Sequence, residues 1–471
     1  MKVVSLSNPV KSDWLADQGF RLDPAPYLSG ALEAKKLLER LPNTVTLESV
    51  TLPGSSGIFN GPKFSRIYSD DPEHTVPFLG STDMLEADFS YLPKLSRKVA
   101  DKFPYLEIQP GMTLISCSGT IGRMAYVRPD MAGIWSSQHV MKVAPDAKKI
   151  PSGYLYSFLR SKFGVPMIAS SAYGAIIQHI EPHHIAGLPV PRFDAELEGR
   201  IHRLVERSAR LRQKYQAGLV GATKDFFDSN GLPELNDVRW HQQERDLGFE
   251  IPVVGSTSLR ALNFTPRAQR LIGKLGSVPG KPLGEICDGG SLRTGARFKR
   301  IDADPSHGVR LIGQRQAFWV RPEGRWISEA QAPADIRPEN ETIMIAAHGT
   351  LGENEVYSRS ILVTGAWLKH AFSQDFVRLR SGDPEIPGAY LFAFFRSEAA
   401  FRILRSLSVG GKQQEYHSRL LRELPIPRAD DRVRARISAT VRYAYQCRDR
   451  ADVLEDKALA LLTTAIEEAA G

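Results

Sequence analysis

Apolar residues return every three or four positions through the last forty residues of the chain. They are Val433, Ile437, Thr440, Ala444, Cys447, Ala451, Leu454, Ala458, Leu461 and Ala465. Alternation of four and three is a heptad seam. The same seam stands 236 residues earlier as Leu197, Ile201, Leu204, Ser208, Leu211, Tyr215, Gly218 and Ala222. Each run follows a "LP-V/I-PR" segment and opens on an aspartate, a favourable N-cap. Two helices of roughly 34 residues, about 50 Å long, are predicted. Both seams are rich in small residues, which allow close approach. The shared register favours the two helices packing on each other over each one merely covering its own domain.

Upstream of each helix the period shortens. "GMTLISCSGTIGRMAYV" predicts a strand, a glycine turn and a strand. "WSSQHVMKVAP" predicts another strand, with "TGAWLKHAFSQDFVRLR" as its counterpart. "GYLYSFLRSKFGVPMI" has the spacing of a short amphipathic helix, and "AIIQHIEPHHIAGLPVP" predicts a loop ending in a short strand. The expected fold class is α+β.

The chain repeats itself on the scale of a domain. "PSGYLYSFLRS" (Pro151–Ser161) matches "PGAYLFAFFRS" (Pro387–Ser397), and "GLPVPR" matches "ELPIPR", both at an offset of 236. Gly174 maps to Gly410 and Gln178 to Gln414 at the same offset. "KFSRI" (Lys63–Ile67) matches "RFKRI" (Arg297–Ile301) at 234, and "GTIG" matches "GTLG" at 230, so Gly119 maps to Gly349. The two copies cover about residues 20–227 and 259–466, and the polar stretch Asp228–Ser258 between them reads as a linker.

This ordered set resembles the DNA-specificity subunit of Type I restriction–modification enzymes. The set comprises a Gly-Thr-apolar-Gly turn, a "GYLYSFLRS" helix, a Gly and a Gln, an "LP-V/I-P" strand and a coiled-coil helix, all present twice. "GFRLDPAPYLSG" and "FSRIYSDDPEHTVPFLGSTD" also resemble specificity subunits of variant methylation-associated phage-defence systems. The resemblance implies two target-recognition domains, each followed by a long helix, with the helices forming an antiparallel coiled coil in a pseudo-twofold arrangement. The implied layout is an N-terminal segment at 1–41, a recognition domain at 42–192 and a central helix at 193–227. A linker and repeat start at 228–282, a second recognition domain at 283–428 and a last helix at 429–471 complete it.

It further implies a subunit without its own catalysis that reads an asymmetric bipartite site in double-stranded DNA. Two methyltransferase subunits would supply S-adenosylmethionine chemistry on adenine. A motor–nuclease subunit using ATP and Mg is a further partner in that family. The alternatives are a self-contained DNA-modifying enzyme and a tandem scaffold that binds only protein.

The net charge of +8 over 471 residues suits a polyanionic partner. No run of about 18 apolar residues occurs, so no membrane span is expected. The start of the chain lacks the apolar stretch of a signal peptide. Three scattered cysteines form no CxxC, which fits a reducing cytoplasm. "GSVPGKP" is not a P-loop, and no GxSxG, HExxH or DPPY-like motif is present. "HIEPHH" has no histidine counterpart in the second copy, so no metal site is expected, and no cofactor is expected in this chain.

The candidate DNA contacts are polar side chains in the divergent loops, since Arg and Lys suit guanine edges and Gln and Asn suit adenine. In the first copy they are Lys63, Arg66, Ser81, Asp83, Thr120, Arg123, Gln138, His139, Tyr173 and Gln178. In the second they are Arg297, Lys299, Arg300, Gln314, Arg315, His348, Thr350, Lys412, Gln413 and Gln414. "SVGGKQQEYHSR" (Ser408–Arg419) is the leading stretch. The glycines of the repeated turn, Gly119, Gly122, Gly349 and Gly352, are expected to serve positive backbone φ.

Overall fold

The computed structural model describes residues 9–17, 20, 22, 24–69, 71–172, 178–251 and 257–471. Contacts divide the chain into two units, residues 1–213 with 450–471 and residues 214–449. The fold class is α+β. Among the described residues no helix is long and apolar enough to cross a membrane, and the three cysteines are free and buried.

In the first unit the strands are β1 (Thr44–Thr46), β2 (Ile58–Phe59), β3 (Thr75–Leu79), β4 (Lys94–Ser96), β5 (Thr113–Ser116), β6 (Met124–Tyr126), β7 (Trp135–Ser136), β8 (Val140–Val143) and β9 (Pro189–Pro191). They form an antiparallel sheet β2-β8-β5-β6, a smaller sheet β4-β3-β7 and the pair β1-β9. β5 and β8 are buried on both faces, which is why they read as continuous apolar runs rather than alternating ones. The predicted "GYLYSFLRSKFGVPMI" helix is two helices, Ser152–Arg160 and Gly164–Ser170. The break falls at Ser161, whose Oγ accepts from the Phe163 and Gly164 amides at 3.2 Å. Part of the expected "HIEPHH" loop is also helical, at Pro182–Ala186.

The second unit has the same plan. Its strands are β10 (Gly280–Pro282), β11 (Ser291–Thr294), β12 (Gly308–Ile312), β13 (Arg325–Ser328), β14 (Thr342–Ala346), β15 (Ser360–Val363), β16 (Ala371–Phe372), β17 (Phe376–Arg380), β18 (Ser408–Val409), β19 (Glu415–Tyr416) and β20 (Pro425–Pro427). The orders β11-β17-β14-β15, β13-β12-β16 and β10-β20 repeat those of the first unit strand for strand. In both small sheets one pairing is antiparallel and the other parallel. A fully buried tyrosine locks the "LP-V/I-P" strand in each unit. Tyr154 donates to the Pro191 carbonyl at 2.6 Å, and Tyr390 donates to that of Pro427 at 3.0 Å.

The two long helices are Ala195–Ser229 and Asp431–Ala469. The sequence repeat assigns one helix to each copy, but contacts assign half of each helix to each unit. Within the first unit Ser208 Oγ donates to the Ala451 carbonyl at 2.8 Å, and Arg212 pairs with Asp452 at 3.0 Å. Within the second, Arg436 grips Asp225 at 2.7 Å, and the Tyr215 and Tyr445 rings meet edge-on at 5.3 Å. Residue numbers rise on one helix as they fall on the other, so the packing is antiparallel in each unit. A Cβ on Gly218 would stand 3.1 Å from Ala444 Cβ, which shows how closely the small residues let the backbones approach.

The seam is set one residue differently from the expected one. Ile201, Ser208, Tyr215, Ile437, Ala444, Ala451 and Ala458 are buried as expected. The alternate positions are Val205, Leu219, Val441, Glu455 and Leu462, with Leu204, Leu211, Val433, Leu454 and Leu461 only half-buried beside them. Cys447 is buried next to Arg448, and Leu197 is half-buried. Within each unit the helix halves pack on the sheet-and-helix core as well as on each other, so the buried stripe is wider than a two-position seam. Leu197, Leu204 and Leu461 pack on that core in the first unit.

The expected linker is docked as far as it is described. Leu232, Leu235 and Val238 are buried, Asp246 pairs with Arg267 at 2.8 Å, and the Arg267 guanidinium lies 4.2 Å from the Trp240 ring centre. Apolar residues three apart within a polar stretch are the signal that overall polarity concealed.

Candidate nucleic-acid interface

The basic candidates are mounted by an aromatic anchor. In "KFSR" and "RFKR", Phe64 and Phe298 each pack on a core cluster of their own unit. Lys63, Arg297 and Lys299 are exposed, and none makes an ion pair or hydrogen bond among the described residues.

Arg66 and Arg300, the last residues of these segments, make the same bond in each unit. Arg66 Nη2 donates to Gln138 Oε1 at 2.7 Å. Arg300 Nη2 donates to Gln374 Oε1 at 2.7 Å. Gln374 is the counterpart of Gln138 at the offset of 236, and sequence reasoning missed it. The signal was "SQH" in one copy against "SQD" in the other, inside strands already matched.

Beside this pair, His139 Nδ1 lies 2.7 Å from Ser118 Oγ, and Gln138 Nε2 lies 3.1 Å from His139 Nε2. Burial first, then Arg66 and His179, hold the His139 pKa below the ordinary histidine value, so the ring is neutral at pH 7. Arg66 fixes the Gln138 amide with its oxygen inward. A polarised chain follows: Gln138 Nε2 donates to His139 Nε2, and His139 Nδ1 donates to Ser118. The Ser118 backbone pairs antiparallel with that of His179, whose side chain pairs with Glu181 at 2.8 Å. Asn60 also holds Glu181, at 3.3 Å.

In the second unit the corresponding residues are His348, Asp375 and Glu415. His348 Nδ1 is 3.6 Å from Asp375, and His348 Nε2 is 3.4 Å from Glu415. His348, Gln374, Glu415 and Arg297 line a cavity of about 400 Å³ with Arg293, Tyr416 and Arg422.

The other candidates divide by what already occupies them. Gln314 accepts from the Ala347 and His348 amides at 3.1 and 3.2 Å and donates to the His348 carbonyl at 2.6 Å. Gln414 is buried, accepts from Arg260 at 2.7 Å and donates to Gly411. Asp83 accepts from the Gly80 amide at 2.7 Å. These three position loops. Thr120, Gln178, Thr350, Lys412 and Gln413 are exposed, while Ser81, Arg123 and Arg315 are half-buried. Tyr173 lies outside the described residues.

The repeated turn takes two conformations. In the first unit Gly119 and Gly122 have φ of 75° and 86°, and Ser116 Oγ donates to the Thr120 carbonyl at 2.6 Å. In the second, Gly349 is near-extended at 159° and Gly352 is not left-handed. Six extra residues separate β14 from β15, since Ser116 maps to Ala346 at 230 but Met124 maps to Ser360 at 236. The wider loop needs no tight reversal, and Arg405 holds the Gly352 carbonyl at 2.8 Å.

A buried cation stands at the same place in the large sheet of each unit, Lys142 in β8 and Arg378 in β17. Lys142 in β8 has no hydrogen-bond partner among the described residues, and its Nζ lies 5.6 Å from the Phe59 ring centre. Burial pushes its pKa down to about 7, and burial pushes the neighbouring Cys117 thiol up to about 12. Its counterpart Arg378 reaches the Asp335 and Phe372 carbonyls, the latter at 3.1 Å.

Two tandem α+β units thus each carry an Arg–Gln pair at the same place, with exposed basic side chains beside it in the sequence. No family model and no curated protein matches the chain. Among solved structures it is similar to the S subunit of a Type I restriction–modification system from M. genitalium. The identity is 14%, covering 91% of this chain and 94% of that one, with a TM-score of 0.34. It is also similar to the HsdS subunit from Thermoanaerobacter tengcongensis, at 15% identity, 91% and 97% coverage and a TM-score of 0.27. A chain from a structural study of complex assembly in the type I R-M system matches at 15% identity, 90% and 98% coverage and a TM-score of 0.26. Identity and scores at this level place no residue of this chain on a residue of those proteins.

Proposed function

We propose that this protein is a DNA sequence-recognition subunit that reads an asymmetric bipartite target and positions adenine methyltransferase subunits on it, with catalysis left to those partners. The observation that supports this most is the Arg–Gln pair, formed at the same place and the same length in both units. Arginine and glutamine are the side chains best matched to guanine and adenine edges in the major groove. Tethering each to the other orders two long side chains before DNA arrives, which lowers the entropy lost on binding. Lys63, Arg297 and Lys299 stand beside the pairs as unneutralised cations, suited to phosphates, which set register without reading sequence.

The test is selection of duplexes from a randomised pool by the chain with its methyltransferase partner. Two separated, dissimilar half-sites are expected. Arg66→Ala should relax only one half-site and Arg300→Ala only the other, each by about 1–3 kcal/mol. Lys63→Ala and Arg297→Ala should weaken binding to all sequences and flatten its dependence on salt. Exchanging residues 42–190 for those of a relative should change one half-site only. Enrichment of no sequence, or methylation or cleavage by the purified chain alone, overturns the reading.

A further inference from the structure

We propose that the two units present opposite hydrogen-bonding characters to the bases beside their shared Arg–Gln contact, and that three matched positions set the difference. The inference rests on the DNA-reading function proposed above. The positions are 118, 139 and 179 in the first unit and 348, 375 and 415 in the second, matched at offsets of 230, 236 and 236. In each unit the first position adjoins the other two: Ser118 bonds the His139 side chain and pairs with His179 through the backbone, and the His348 side chain contacts both carboxylates.

The chemistry is inverted between them. In the first unit the Ser118 hydroxyl meets the His139 imidazole, and its backbone pairs with that of His179. Arg66, Gln138 and His139 form a chain of donors that ends on Ser118 Oγ, leaving the hydroxyl hydrogen to donate outward. The Glu181 carboxylate is held by His179 and Asn60. In the second unit an imidazole stands between two carboxylates. Asp375 accepts from Ser373 at 2.8 Å and lies 3.9 Å from Arg300, and Glu415 is mostly exposed with His348 as its neighbour. Asp375 and Glu415 add acceptor oxygens where the first unit has imidazoles.

Exposed donors suit guanine O6 and N7 and thymine O4, and carboxylates suit the exocyclic amino groups of cytosine and adenine. The first unit therefore selects a keto base, and the second an amino base, at the position flanking the Arg–Gln contact.

The experiment compares half-site preferences of the full chain with its methyltransferase partner, using duplexes varied at each position. The triple variant Ser118→His, His139→Asp, His179→Glu should move the first unit's preference at one position from G or T to C or A by roughly tenfold or more. The other half-site should not change. The near-isosteric pair Asp375→Asn and Glu415→Gln, which alters charge without bulk, should remove the amino-base preference in the second half-site. Retained binding with unchanged preference in both variants overturns the inference and leaves the DNA-reading function standing. Wild-type protein that enriches nothing overturns that function and this inference with it.

Discussion

Glu455→Ala is expected to destabilise the first unit by about 3–5 kcal/mol, the cost of breaking a buried ion pair from one side. Glu455 is 1% exposed on the second long helix. It accepts from Tyr156 Oη at 2.7 Å and pairs with both Arg160 and Arg212. Burial pulls the Arg212 pKa below the ordinary arginine value, with Asp452 as the largest opposing influence. Removing Glu455 takes from Arg160 its carboxylate partner and leaves Arg212 with Asp452 alone.

The second unit solves the same place differently. The counterparts of Tyr156, Arg160, Arg212 and Glu455 are Phe392, Arg396, Arg448 and Leu219. There Arg396 donates to the Leu219 carbonyl, and Arg448 stacks 4.3 Å from the Trp367 ring centre and binds Asp449. An apolar solution is thus compatible with the fold. The double variant Glu455→Leu with Arg212→Met should recover most of the loss, whereas either change alone should not. Denaturant unfolding followed by hydrogen exchange across Ser152–Arg160 measures both. Equal losses for the single and double variants would show that the cluster is not acting as a coupled unit.

Lys142→Met is expected to stabilise the first unit by on the order of 3 kcal/mol at neutral pH, because it removes a buried ammonium that lacks a hydrogen-bond partner. The pH dependence follows from the lowered pKa. Between about pH 7 and the ordinary lysine value the unfolded chain binds the proton and the folded chain does not, so wild-type stability rises across that window. Below pH 7 both states are charged and the full penalty applies. The advantage of methionine should therefore be greatest at and below pH 7 and fade towards pH 10. A gain that does not change with pH would point to packing rather than charge.

Much of the fold was legible because duplication prints every landmark twice. "GYLYSFLRS" and "GAYLFAFFRS" needed no propensity to be matched, and the tyrosine inside each makes the same bond to the same proline carbonyl. What was not legible depended on contacts between distant segments. The heptad was placed by its alternating spacing of four and three, yet Arg448 and Glu455 occupy buried positions, and Arg212 a half-buried one, that hydropathy scores as surface. "GTIG" and "GTLG" look alike, but the six residues after the second let it stay open. The Arg–Gln pair was half visible: Arg66, Gln138 and Arg300 drew attention as base-reading types, while Gln374 lay between an apolar run and an aspartate. Gln414 and Gln314 have the right chemistry for adenine, but the loops around them already engage their amides.

Because the long helices cross from one unit to the other, the first unit is interrupted in the chain. Residues 450–471 supply Ala458, Leu462 and Ile466 to the same cluster as Ile201 and Val205. On the ribosome the segment synthesised first must therefore wait, with part of its apolar surface uncovered, until the whole second unit has been made. The second unit is one continuous stretch, residues 214–449, and can close earlier. Order of synthesis and order of completion are reversed. The first unit's open face is then the stage of biogenesis most exposed to chaperones and proteases.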